Sequence, residues 1–129
     1  MKKPFIVLAI LYCAGIFWVS SGPIPVRLKP VFNGEDKIVH ACLYAGLAAI
    51  VSVGMRRSGK NYPMPVQLLV PIVFAAIYGA SDEFHQSFVP GRSCDILDAT
   101  ADTLGAAAMQ AFLCFRVWRL HKKDAVALE

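Results

Sequence analysis

The stretch SDEFHQSFVPGRSCDILDATAD, Ser81 to Asp102, holds five carboxylates, a histidine, a glutamine and an arginine. A second polar group precedes it in DKIVHACLY, with Asp36, Lys37, His40 and Tyr44. Imidazoles and carboxylates move protons, and an arginine fork grips phosphate or carboxylate groups. Carboxylates with one or two histidines also suit Mg, Mn or Zn. No compact HExxH or CxxC motif is present, so the sequence assigns no metal ligand and specifies no cofactor.

The elements that must position these groups are apolar. The chain has 129 residues, one domain by size, and is 57% hydrophobic with only 17% charged residues. An average soluble domain carries roughly 25% charged residues. Four apolar segments predict helices over about 4–21, 37–55, 65–86 and 95–118. Each falls within the range of about 17–25 residues that crosses a bilayer, where the backbone must satisfy its own hydrogen bonds. The fold expected is therefore all-α, a four-helix transmembrane bundle forming a single domain over 1–129. A soluble bundle would need polar faces that these segments lack. Lys2 and Lys3 before an apolar run resemble a signal peptide, but no clean small-x-small site follows, so a retained first helix is expected.

The basic residues set orientation. Nine of the thirteen Lys and Arg fall before the first helix, between the second and third, and at the end of the fourth. The positive-inside rule places those ends, and both termini, in the cytoplasm of an inner-membrane, multi-pass protein. Arg27, Lys29, Lys37 and Arg92 lie on the other side, against Glu35, Asp36, Asp82, Glu83, Asp95, Asp98 and Asp102. The net charge of +4 is thus a topology signal with contacts to anionic lipid. Nucleic acid is excluded as a partner; the bilayer is the partner expected, and no oligomeric state is specified. The loop 22–36, with three prolines, is expected to be stiff and on the outer face.

Helical spacing aligns the polar groups. Asp36, His40 and Tyr44 stand at i, i+4 and i+8; Tyr78, Asp82 and Gln86 repeat that spacing, with Glu83 beside them. Asp95, Asp98, Asp102 and Gly105 form a third stripe, and VPGR, Val89 to Arg92, reads as a turn. Asp95 reads as a helix cap, since carboxylates suit the positive end of a helix. His40 and Asp102 lie about one turn inside the apolar zone, where ionisable groups are costly and mark function or a helix-locking network. His40, Glu83, Gln86, Arg92 and Asp98 are expected to converge on one outward pocket, with Tyr44 and Asp102 at its floor. The cysteines show no disulfide spacing, and Tyr12, Phe17, Trp18 and Trp118 read as interfacial anchors.

DKIVHACLY, YGASDEFHQSFVPGR and DATADTLGA, in that order, resemble the VanZ-like family of small membrane proteins, and Trp18 to Ser21 fits that family's first helix. Carried over by position, the family residues are Asp36, Lys37, His40, Tyr44, Asp82, Glu83, Gln86, Arg92, Asp98 and Gly105. Asp102 departs from the pattern, which usually has Asn there. The family's founding member is associated with reduced susceptibility to teicoplanin, a lipoglycopeptide that targets cell-wall precursors.

Three classes of function fit. The first is an enzyme on a lipid-linked envelope substrate, with His40, Glu83 and Asp98 as catalytic candidates. Lys37, Tyr44, Asp82, Gln86, Arg92 and Asp102 would bind the substrate. The second is a non-catalytic membrane protein whose polar cluster locks helices or organises envelope partners. The third is a metal site, in which His85 would count only if it faces the cluster.

Overall fold

In the computed structural model the residues described are 1–22 and 34–126, with side chains undescribed at 121 and 123–126. The element order is α1 (Lys3–Ser20), α2 (Glu35–Arg56), α3 (Met64–Gln86) and α4 (Ile96–Val126), with no strand among the described residues. The proline-rich part of the 22–36 loop, including Arg27 and Lys29, lies outside the described residues.

Local chemistry explains the helix starts. Pro4 occupies the first turn of α1, where no intrahelical N–H is required. Glu35 and Asp36 sit in the first turn of α2 and complement its dipole. Asp95 caps α4: its Oδ1 accepts the Leu97 N–H at 2.8 Å. Pro71 lies inside α3, which runs unbroken through it.

Two boundaries differ from those expected. α2 begins at Glu35 rather than 37, which brings Asp36 and Lys37 into its first turn. α4 continues to Val126 rather than ending at 118. Arg119, Leu120, Lys122 and Lys123 are good helix formers, and cations favour a helix C-terminus.

The bundle is apolar outside and carries polar groups within. Ile10, Trp18, Ile77, Phe84 and Leu104 are exposed, while Asp82, Glu83, Gln86, Asp98, Asp102 and Gln110 are buried. Water penalises that arrangement and hydrocarbon favours it. α1, α2 and α3 are each long and apolar enough to cross a membrane. α4 carries Asp98 and Asp102 early and cations late.

α2 touches the other three helices, and its longest contact is with α4. Gly105 permits that contact, because a Cβ there would lie 2.7 Å from the Ala41 Cα. The core consists of Ile16, Tyr44, Leu47, Ala48, Ala75 and Ala106. α1 is pinned by two hydroxyls: Tyr12 donates to the Leu43 carbonyl at 3.1 Å and Tyr78 donates to the Cys13 carbonyl at 2.7 Å.

Candidate functional site

The polar groups meet where α2 begins, α3 ends and α4 begins. Lys37, in the first turn of α2, reaches across to α4. Its Nζ donates to Asp95 Oδ2 and Asp98 Oδ1, both at 3.0 Å, and to Asp36 Oδ2 at 3.3 Å. One turn deeper, His40 Nδ1 lies 3.1 Å from Asp102 Oδ1 and 3.9 Å from Glu83 Oε1. The Asp102 side chain is wholly buried and its Oδ2 has no hydrogen-bond partner among the described residues.

A second set of bonds ties α3 to α1 and to the turn. Gln86 Nε2 donates to Asp82 Oδ2 and Glu83 Oε1, both at 3.1 Å. Arg92 donates to Gln86 Oε1 at 3.2 Å and to the Val19 carbonyl at 3.4 Å. Ser20 Oγ donates to Asp82 Oδ1 at 2.5 Å. The Asp95 N–H donates to Glu83 Oε2 at 2.8 Å, so the start of α4 is fastened to the end of α3.

The turn that carries Arg92 follows from its residues. Pro90 presets φ, Gly91 takes φ 83°, and the Arg92 N–H donates to the Val89 carbonyl at 3.0 Å. Asp95 lies just outside the helices. The Leu97 N–H, then Lys37, hold its carboxyl below the usual range.

Beside this network a cavity of about 530 Å³ lies between α1, α2 and α3. Ile16, Val19, Val39 and Leu43 form an apolar wall. Lys37, Arg92, His40 and Tyr44, with the carboxylates Glu35, Asp36 and Asp82, form a polar end. Glu83, Gln86, Asp98 and Asp102 do not line it; they form the layer behind His40 and Asp82. The expected single pocket is therefore two layers, because Gln86 and Glu83 are turned inward onto each other and onto the start of α4. Tyr44 is buried, its ring is 6.4 Å from that of His40, and its hydroxyl has no partner among the described residues.

Donor atoms of His40, Glu83 and Asp98 lie within 4.8 Å of one another, a set that could hold a metal ion. The sequence showed no metal motif because these donors come from three different helices. His85 is not in that set; its ring packs on Phe17 of α1, with centroids 4.5 Å apart. All four cysteines are free thiols.

Sequence reasoning missed Ser20 as a partner of Asp82, although Ser20 lay in a motif already singled out. A hydroxyl at the end of a charge-free helix reads as surface until α3 is placed against it. Gly79 was also missed. Its bare Cα leaves room for Asp102, and a Cβ there would meet Asp102 Oδ2 at 2.6 Å.

The family model described as VanZ/LLP1 matches residues 5–119. No curated protein and no solved structure matches the chain.

Proposed function

This chain belongs to the VanZ/LLP1 family, and on that premise we propose that its polar site binds a lipid-linked component of the cell envelope from the outer leaflet of the inner membrane. In this reading α4 is the fourth span and both termini are cytoplasmic. The observation that carries it is the two-sided cavity. An apolar wall of Ile16, Val19, Val39 and Leu43 suits a hydrocarbon chain, and Lys37 and Arg92 at the other end suit an anionic head group. An amphiphile, with an apolar tail and an anionic head, uses both surfaces.

His40 is the residue best placed to act on such a ligand. A neutral imidazole that donates Nδ1–H to Asp102 keeps its Nε2 lone pair for a proton of the ligand or of water. Asp102 orients the ring and Tyr44 packs against it. Gln86 holds Asp82, Glu83 and Arg92 in register. The family's link to teicoplanin, a drug directed at cell-wall precursors, points to the same class of ligand.

A second reading is favoured by one observation. Lys37 already binds three carboxylates within the chain, as a helix lock would. The test compares envelope lipids of cells lacking the protein with cells carrying wild type or His40→Ala. A lipid-linked species that changes on loss and returns only with wild type supports action on lipid. Return with both variants supports the lock.

A further inference from the structure

We propose that His40, Glu83 and Asp98 bind one first-row divalent cation, Mn²⁺ or Zn²⁺, where the ends of α2, α3 and α4 meet. One donor atom of each residue lies within 4.8 Å of the other two. Metal–ligand bonds of about 2.0–2.2 Å place tetrahedral donors about 3.4 Å apart, so on binding the three donors draw together by up to about 1.4 Å.

Charge is the first independent support. Asp82, Glu83, Asp98 and Asp102 are all buried. Among the described cations, Lys37 pairs with Asp98, and Arg92 donates to Gln86 and to a backbone carbonyl. Glu83 has the His40 imidazole at 3.9 Å, a neutral neighbour when it ligates a metal. Buried carboxylates persist when paired or bound to metal. A divalent cation between His40, Glu83 and Asp98 offsets this excess.

The second support is unmet hydrogen bonding. The Tyr44 hydroxyl, one turn below His40, is buried without a partner among the described residues, and so is Asp102 Oδ2. Buried polar atoms of this kind normally meet water or a ligand. Asp102 Oδ2 faces Gly79, and in this proposal water on the cation serves the Tyr44 hydroxyl.

The three donors are also held as metal ligands are held. Asp102 accepts the His40 Nδ1–H, which leaves Nε2 for the metal, so a bound cation takes the lone pair that would otherwise accept a proton. Gln86 and the Asp95 N–H fix Glu83, and Lys37 fixes Asp98. One imidazole with two carboxylates suits Mn²⁺ or Zn²⁺ better than Ca²⁺ or Mg²⁺. Three protein donors leave coordination positions for water or an anionic oxygen.

The test uses the full chain purified in detergent without added lipid, titrated with Mn²⁺ and followed by electron paramagnetic resonance. One bound Mn²⁺ per chain is expected, displaced by Zn²⁺, with a nitrogen coupling from an imidazole. His40→Ala abolishes the nitrogen coupling. Glu83→Gln and Asp98→Asn weaken binding by about tenfold or more, while Cys94→Ser leaves it unchanged. Far-UV circular dichroism separates lost ligation from lost fold. A wild-type chain with neither stoichiometric Mn²⁺ binding nor a nitrogen coupling overturns the proposal, whatever the variants do. So does unchanged affinity in folded His40→Ala and Glu83→Gln. The metal titration and the lipid comparison fail separately, because no lipid enters the first and no added metal enters the second.

Discussion

Asp102 Oδ1 lies 3.1 Å from His40 Nδ1, and the whole Asp102 side chain is buried. The geometry asks for an acceptor at that oxygen, and an amide oxygen accepts as a carboxylate does. Asp102→Asn is therefore expected to fold and keep function. Asp102→Leu leaves His40 unpaired and costs about 1–3 kcal/mol. Asp98→Asn weakens the contact with Lys37 and is expected to impair function. Thermal midpoints and complementation of a deletion strain, at matched expression, check all three. An inactive Asp102→Asn beside an active Asp98→Asn would reverse these roles.

Gly79 and Asp102 form a second testable pair. A Cβ at position 79 would meet Asp102 Oδ2 at 2.6 Å and its Cβ at 3.1 Å. Gly79→Ala is expected to displace the carboxylate from His40 and to destabilise the chain by about 1–3 kcal/mol. In the Asp102→Ala background the contact with Oδ2 is gone and only the 3.1 Å contact with the Cβ remains, so the cost of the alanine at 79 falls. A double-mutant cycle on thermal midpoints reads this coupling. Additive effects would mean that the two positions do not press on each other.

The helices and their polar stripes were legible because periodicity is local. Asp36, His40 and Tyr44 share a face of α2 by spacing alone, and the apolar runs between prolines and glycines mark α1 and α3. What spacing cannot show is depth and partner. Glu83 and Gln86 read as pocket residues, but each bonds to its neighbours on α3 or to the start of α4, so both lie behind the cavity. Ser20 acquires meaning only when α1 packs on α3 and meets Asp82. The metal-capable set is non-local for the same reason: its members are 15 to 58 residues apart and no short motif joins them. The end of α4 was read too early because loss of hydropathy was taken as loss of helix, whereas charged helix formers extend it.

Asp95 links pH to the hairpin between α3 and α4. The Leu97 N–H, then Lys37, hold its folded pKa below the unfolded value of about 3.9. A depressed pKa contributes stability that is present above the unfolded value and is lost as pH falls through the folded one. The wild-type chain is thus expected to lose thermal stability on acidification below about pH 5. Asp95→Asn keeps a capping oxygen for the Leu97 N–H but removes the titrating group. Its midpoint should be lower than wild type at neutral pH, and the gap should shrink as pH falls. A gap that stays constant down to acid pH would show that the Asp95 charge does not stabilise the fold.

Cys94 tests the orientation of the whole site. It is an exposed free thiol one residue before Asp95, whose carboxyl bonds Lys37 and whose N–H bonds Glu83. If the polar layer faces outward, a membrane-impermeant maleimide should label Cys94 in cells whose outer barrier alone is opened. Cys42 is also exposed, on the side of α2 toward the groove with α4, so the assay uses Cys42→Ser. Cys13 and Cys114 are half-buried, and Cys94→Ser in that background gives the blank. In the proposed orientation, reporter fusions after Lys60 and at the C-terminus should read cytoplasmic, as the positive-inside rule expects for the cationic ends of α2 and α4. Labelling of Cys94 that appears only after the inner membrane is permeabilised would place Lys37, His40 and Arg92 on the cytoplasmic face. The lipid-linked ligand would then have to come from the inner leaflet.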